Sequence, residues 1–162
     1  MPQKQPDHSK ILVAIEKIDD PARLRQMMVN ADKQGVKPVY DAAFRRLVEM
    51  LPEAEPGTIE HDFWQTIHAF EQILREERGK TVLLSRTRQK LKRVGVMQTL
   101  ADFATATAAT QGFEMLIARN LPELTGEAIV LRHSSRFAPN VVAGARARLE
   151  GAGVDASQFR AA

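Results

Sequence analysis

The chain is 162 residues long and carries a formal net charge of +3, with 23 Lys and Arg against 20 Asp and Glu. It holds no cysteine, which excludes disulfides, thiolate zinc sites and cysteine nucleophiles, and no run of about 18 apolar residues that would span a bilayer. The Met-Pro-Gln-Lys start lacks the apolar core of a signal peptide, so a cytoplasmic protein is expected.

Aromatic residues are sparse while Ala, Leu, Arg, Glu and Gln are plentiful, which favours helices over sheets. Met1 to Pro6 is polar and proline-bearing and is expected as a flexible tail. Asp7 or Ser9 can cap a short helix whose buried face is Ile11, Leu12, Ile15 and Ile18. Asp20 then offers an N-cap carboxylate and Pro21 suits the first helical position. Leu24, Met27, Met28 and Ala31 follow at helical spacing up to Gly35, a left-handed terminator. A third helix opens at Pro38, with Val39, Tyr40, Ala43, Phe44, Leu47, Val48 and Leu51 as its stripe, and stops at Pro52. Arg45, Arg46 and Glu49 leave it on the polar side.

After the P-E-A-E-P-G loop, Thr58 caps the longest helix, running to about Arg78, with Ile59, Phe63, Ile67, Phe70 and Leu74 inward. This is expected to be the central helix of an amino-terminal half. Gly79 stops it, and a basic segment follows that restarts as a helix at Thr81 or Ser85. Leu84, Thr87, Leu91 and Val94 fall on one arc of that helix. Arg86, Lys90 and Arg93 line one flank of the arc and Arg88 with Lys92 the other. From Gly79 onward no acid appears until Asp102.

Beyond Gly95 the pattern gives a helix over 96–108 with Val96, Leu100, Phe103 and Thr107, then a turn at 110–112. A helix over 113–119 ends at Asn120. Pro122 starts a further helix with Leu124, Ala128 and Leu131 inward, fading at 133–135. The last helix runs from Pro139 to Gly151 with Val142, Ala145 and Leu149 inward. Residues 152–162 are expected as a second flexible tail, with a fold-back through Val154 and Phe159 as the alternative.

No segment alternates as a strand would, so the expected fold is all-α, a compact bundle of about eight helices. Two helical subdomains joined near residues 79–85 are a further option: 7–79 for packing or oligomerisation and 80–151 as a basic half. Charge supports that division. Residues 1–79 hold 11 Lys and Arg against 14 Asp and Glu, a net of −3, and residues 80–162 hold 12 against 6, a net of +6. A phosphate-facing half joined to an acidic half would look like this, and so would two segments that dock on each other.

Chemistry-bearing patterns are few. The nearest same-face histidines, His61 and His68, are separated by about 10 Å of helical rise, so no metal site is expected, and no cofactor motif occurs. The run His133-Ser134-Ser135-Arg136 is explained as well by turn chemistry as by nucleophilic catalysis. Glu76 and Glu77 are expected to pair with Arg75 and Arg78. A helix-turn-helix register set on Ala101 or Ala104 puts Gln111 or Glu114 where an apolar residue belongs, so that motif does not fit.

What remains is a phosphate-contacting surface made of Lys80, Arg86, Arg88, Lys90, Lys92 and Arg93, strengthened by Arg132 and Arg136 and by Arg146 and Arg148 if their helices pack alongside. Duplex DNA is favoured over RNA because the chain lacks aromatic platforms for stacking, and the amino-terminal helices leave room for a homodimer. The alternatives are a helical adaptor that docks its basic helix on an acidic protein, and a nuclease whose carboxylates converge only in the fold.

Overall fold

Every regular element among the described residues is helical. The computed structural model describes residues 7–159, so the expected tail 1–6 and the end of the second tail at 160–162 lie outside it. Eight α-helices follow in order: α1 (Ser9–Ile15), α2 (Pro21–Gln34), α3 (Lys37–Met50), α4 (Ile59–Arg78), α5 (Ser85–Thr105), α6 (Gln111–Ala118), α7 (Gly126–Arg132) and α8 (Pro139–Gly151). No helix among these residues is long and apolar enough to cross a membrane.

The chain separates into two compact units, and the boundary lies between Glu53 and Ala54 rather than near residues 79–85. In the first unit α2 and α3 pack on each other and α1 lies against α3. The Asp20 carboxylate accepts from the Ala22 amide, and Gly35 closes α2 at φ 68°, where a side chain is disfavoured. Leu24, Met28, Ala43, Phe44 and Leu47 are buried. Ile11, expected inward, is exposed, because α1 has only seven residues and its main packing is against α3. Arg46 is not a free surface residue: its Nε donates to the Ile18 carbonyl at 2.9 Å, closing the turn after α1.

The second unit is built around α7, which packs against α4, α5 and α8. Six of its seven residues, Gly126 to Leu131, are buried, the charged Glu127 among them, so this helix is enclosed all round rather than on one stripe. The sequence pattern reads a single helix from Pro122 with three inward residues. The structure instead has a 3-10 turn (Pro122–Leu124) and a restart at Thr125. The Thr125 hydroxyl donates to the Pro122 carbonyl at 2.7 Å and accepts from the Ala128 amide at 3.1 Å, and these two bonds divide the segment.

Around α7 the core takes Ile59, Phe63 and Ile67 from α4, Leu100 and Ala104 from α5, and Ala145 and Leu149 from α8. Thus α4 belongs to the same core as the helices after it, not to an amino-terminal half. The segment after α8 folds back through residue 159, where a 3-10 turn (Ala156–Phe159) buries Ala156 and Phe159 against α7. Close approach needs glycine at one crossing and is tight at a second. A Cβ on Gly144 would stand 2.5 Å from the Ala104 carbonyl oxygen, and one on Gly112 would stand 3.1 Å from the Phe70 ring.

Candidate nucleic-acid interface

The basic segment forms the first arm of α5. Gly95, at φ 84° and ψ 173°, breaks that helix into an arm over 85–94 and a second piece over 96–105. The restart is at Ser85, not Thr81, yet Ser85 supplies no cap. The N-cap position is Leu84, which lacks a capping side chain. Its amide donates instead to Glu71 Oε2 at 2.7 Å. A carboxylate on α4 therefore does for α5 what the glutamate of a capping box does within one helix, and it sits where the helix dipole favours negative charge.

The same carboxylate takes Arg88. Glu71 Oε2 accepts from Arg88 Nε at 2.9 Å and Oε1 from Arg88 Nη2 at 2.6 Å, the two-bond fork that guanidinium and carboxylate make best. These hydrogen bonds raise the Arg88 pKa above its ordinary value, against partial burial. The guanidinium also lies 5.1 Å from the centroid of the Trp64 ring, within cation–π range. On the other shoulder, Lys90 Nζ is 2.6 Å from Asp102 Oδ2. That bond, with a second from Gln98, holds the Asp102 carboxyl below the usual range.

The cations of the arm therefore fall into two classes. Arg88 and Lys90, on the shoulders, are bound to acids of the same unit. Arg86, Lys92 and Arg93 are exposed and have no ion pair among the described residues. At 100° per residue, Arg86, Gln89, Lys92 and Arg93 occupy the side of the arm opposite Leu84, Thr87 and Leu91, which are half-buried. The free cations thus form an outward crest. Val94, expected inward, is 39% exposed, and Leu83 just before the arm is 58% exposed.

The other expected contacts are elsewhere. Lys80 is exposed in the loop after α4. Arg132 donates to the Glu123 carbonyl at 2.9 Å and stands 3.7 Å from Asp62; burial pushes its pKa down, opposed by Asp62 and Glu123. His133 Nε2 lies 2.9 Å from the same Asp62 carboxylate. Arg136 is exposed at the end of a 3-10 turn (Ser134–Arg136). Asp62 and Glu71 are nine residues apart on α4, about 13 Å of helical rise, so the Arg132 cluster and the Arg88 clamp meet α4 at separate places. Arg146 is exposed on α8, beside an open groove of about 530 Å³ that Phe137 and Val142 also line. Arg148 is internal: it donates to the carbonyls of Phe103 and Ala106 at the end of α5 and faces the buried Glu127 at 3.5 Å.

No protein family, curated protein or solved structure matches this chain.

Pairing through space accounts for part of the charge asymmetry along the chain. Acids of α4 (Asp62, Glu71, Glu76) are matched by cations after Gly79 (Arg132, Arg88, Arg119), so α4 docks on later segments of the second unit. Arg119, rather than Arg75 or Arg78, takes Glu76 at 3.1 Å and Glu77 at 4.0 Å. Arg75 and Arg78 consequently remain exposed without an ion pair among the described residues. The signal for this was present in the sequence, since neighbours one residue apart on a helix do not face each other. The two carboxylates beside the arm, Glu71 and Asp102, occupy opposite shoulders and are each ion-paired. They do not form the paired-acid cleft that a metal-dependent nuclease requires.

Proposed function

We propose that this protein binds nucleic acid through phosphate contacts made by the outward crest of the α5 arm, Arg86, Lys92 and Arg93, extended by Lys80 and by Arg75 and Arg78 at the end of α4. One observation carries the reading. The shoulder cations have acids of their own, while the crest cations stand exposed with no acid partner among the described residues, on a helix whose opposite edge is packed. Unpaired guanidinium and ammonium groups in a row match a backbone of phosphates and need no base-reading geometry. Duplex DNA is the favoured target, and a cytoplasmic setting and a homodimer are both compatible with it.

The test is fluorescence anisotropy on a generic duplex across salt concentrations. The three crest contacts contribute about −2.7 to the slope of log K against log salt, at roughly 0.9 per phosphate, beside what Lys80, Arg75 and Arg78 add. Alanine at Arg86, Lys92 and Arg93 together should remove most of that contribution and leave the melting temperature within a few degrees. A triple variant that keeps the wild-type affinity and slope overturns the proposal.

A second reading, docking on an acidic protein surface, is favoured by the exposed Leu83 and Val94 beside the cations. Such a partner bound there should lose affinity on Leu83→Ser, whereas phosphate contact should not change.

A further inference from the structure

The crest is usable only if the arm is held, and apart from the Lys90–Asp102 pair across the break little in the arm itself holds it. A helix of about ten residues is marginal in water alone. Its packed edge is only half-buried, and its far end is broken at Gly95. At the near end, Glu71 is buried to 7% exposure and both of its oxygens go to the arm, to the Leu84 amide and the Arg88 fork.

We infer that Glu71 is the positioning residue of the phosphate-binding arm: through Leu84 and Arg88 it fixes the arm's start and its rotation, so that Arg86, Lys92 and Arg93 face outward together. The inference rests on the nucleic-acid reading above and adds a dependence on a residue that touches no phosphate. Arg88, although cationic, works inward as the second half of the clamp. Trp64, on the same face of α4, backs its guanidinium.

A charge-neutral pair of substitutions separates positioning from contact. Glu71→Gln with Arg88→Gln removes one negative and one positive charge, leaving the net charge and every crest cation in place. In the full chain, duplex anisotropy should give binding at least about tenfold weaker at every salt concentration, because the arm must now be ordered on binding. The salt slope should remain that of the wild type, since no phosphate contact has been deleted. Amide hydrogen exchange over residues 84–94 should quicken without duplex present. If the double variant does not fold, Arg88→Lys serves instead: it keeps the charge, cannot make the fork, and should show the same direction with a smaller change. Wild-type affinity in a folded double variant overturns the role of Glu71, and so does a slope shallower by about one contact, which would make Arg88 a phosphate ligand. A wild-type protein that ignores the duplex overturns the nucleic-acid reading itself.

Discussion

Replacing Gly95 by alanine tests whether the break in α5 is a property of the fold. Gly95 sits at φ 84° and ψ 173°, a region open essentially to glycine alone, where another residue costs about 1–3 kcal/mol. A Cβ there would meet no atom within 4 Å, so no collision adds to that figure. The chain has one escape: residue 95 can turn helical and α5 can run straight, gaining roughly 1 kcal/mol from the helix propensity of alanine over glycine. Straightening swings the arm off α4, however, and gives up the Leu84 amide bond and the Arg88 fork. Hydrogen bonds to a charged group are worth about 1.5–3 kcal/mol each. Even after discounting for an Arg88 side chain that is 33% exposed, that loss exceeds the gain. The kink should therefore persist in the variant at a net cost of about 1–3 kcal/mol, which lowers the melting temperature by roughly 3–10 °C for a unit of this size. Thermal unfolding followed by circular dichroism measures both terms. A variant as stable as the wild type, or one that gains helix and stability together, would refute the reasoning.

Three further outcomes follow from the second unit. Gly144→Ala should cost about 1–3 kcal/mol, since its Cβ meets the Ala104 carbonyl, which is backbone and cannot rotate aside. Gly151→Ala, with open space around it, should be near neutral in the same denaturant titration, and equal effects at the two sites would sink the packing argument. Thr125→Ala should destabilise by about 1–2 kcal/mol, because a fully buried hydroxyl that joins the Pro122 turn to α7 is lost; an unchanged denaturation midpoint would contradict this. For Glu127, burial raises the carboxyl pKa, opposed by Arg148. A folded-state pKa above the unfolded one gives stability that is complete below the ordinary carboxyl range, near ~4.3, and is lost as pH rises through the raised value. The stability difference between wild type and Glu127→Gln should therefore shift against the wild type as pH climbs from about 4. Parallel pH profiles would show that Glu127 does not titrate in this way.

The sequence was most legible where the determinant is local. Asp20 and Thr58 cap α2 and α4, Gly35 and Gly79 end them at positive φ, and Gly95 breaks α5 where the apolar arc changes phase. Each of these depends on one residue and its immediate neighbours. Asn120, read as a terminator, adopts φ 58° for the same reason. What could not be read is the choice of partner. Nothing near Arg88 in sequence names Glu71, 17 residues earlier, and nothing near Glu76 names Arg119, 43 residues later. Formal charge along the chain therefore overstated the free cations of the arm by two. The all-α class was visible from composition and period. The boundary at Glu53 was not, because α4 has a stripe that would suit either set of neighbours, and only packing decides which set it joins.

The burial of α7 has a consequence for biosynthesis. Seven residues cannot sustain a helix in water, so Ala128-Ile129-Val130-Leu131 gains its structure only when α4, α5 and α8 surround it. Two of those walls have been made by the time α7 leaves the ribosome, but the third has not. Until Ala145 and Leu149 arrive, Glu127 also lacks Arg148, the cation that faces it once folded. A nascent or truncated chain ending before Pro139 would present an apolar run and an unmatched acid side by side, the kind of surface that chaperones and proteases surveying unfinished proteins are built to find.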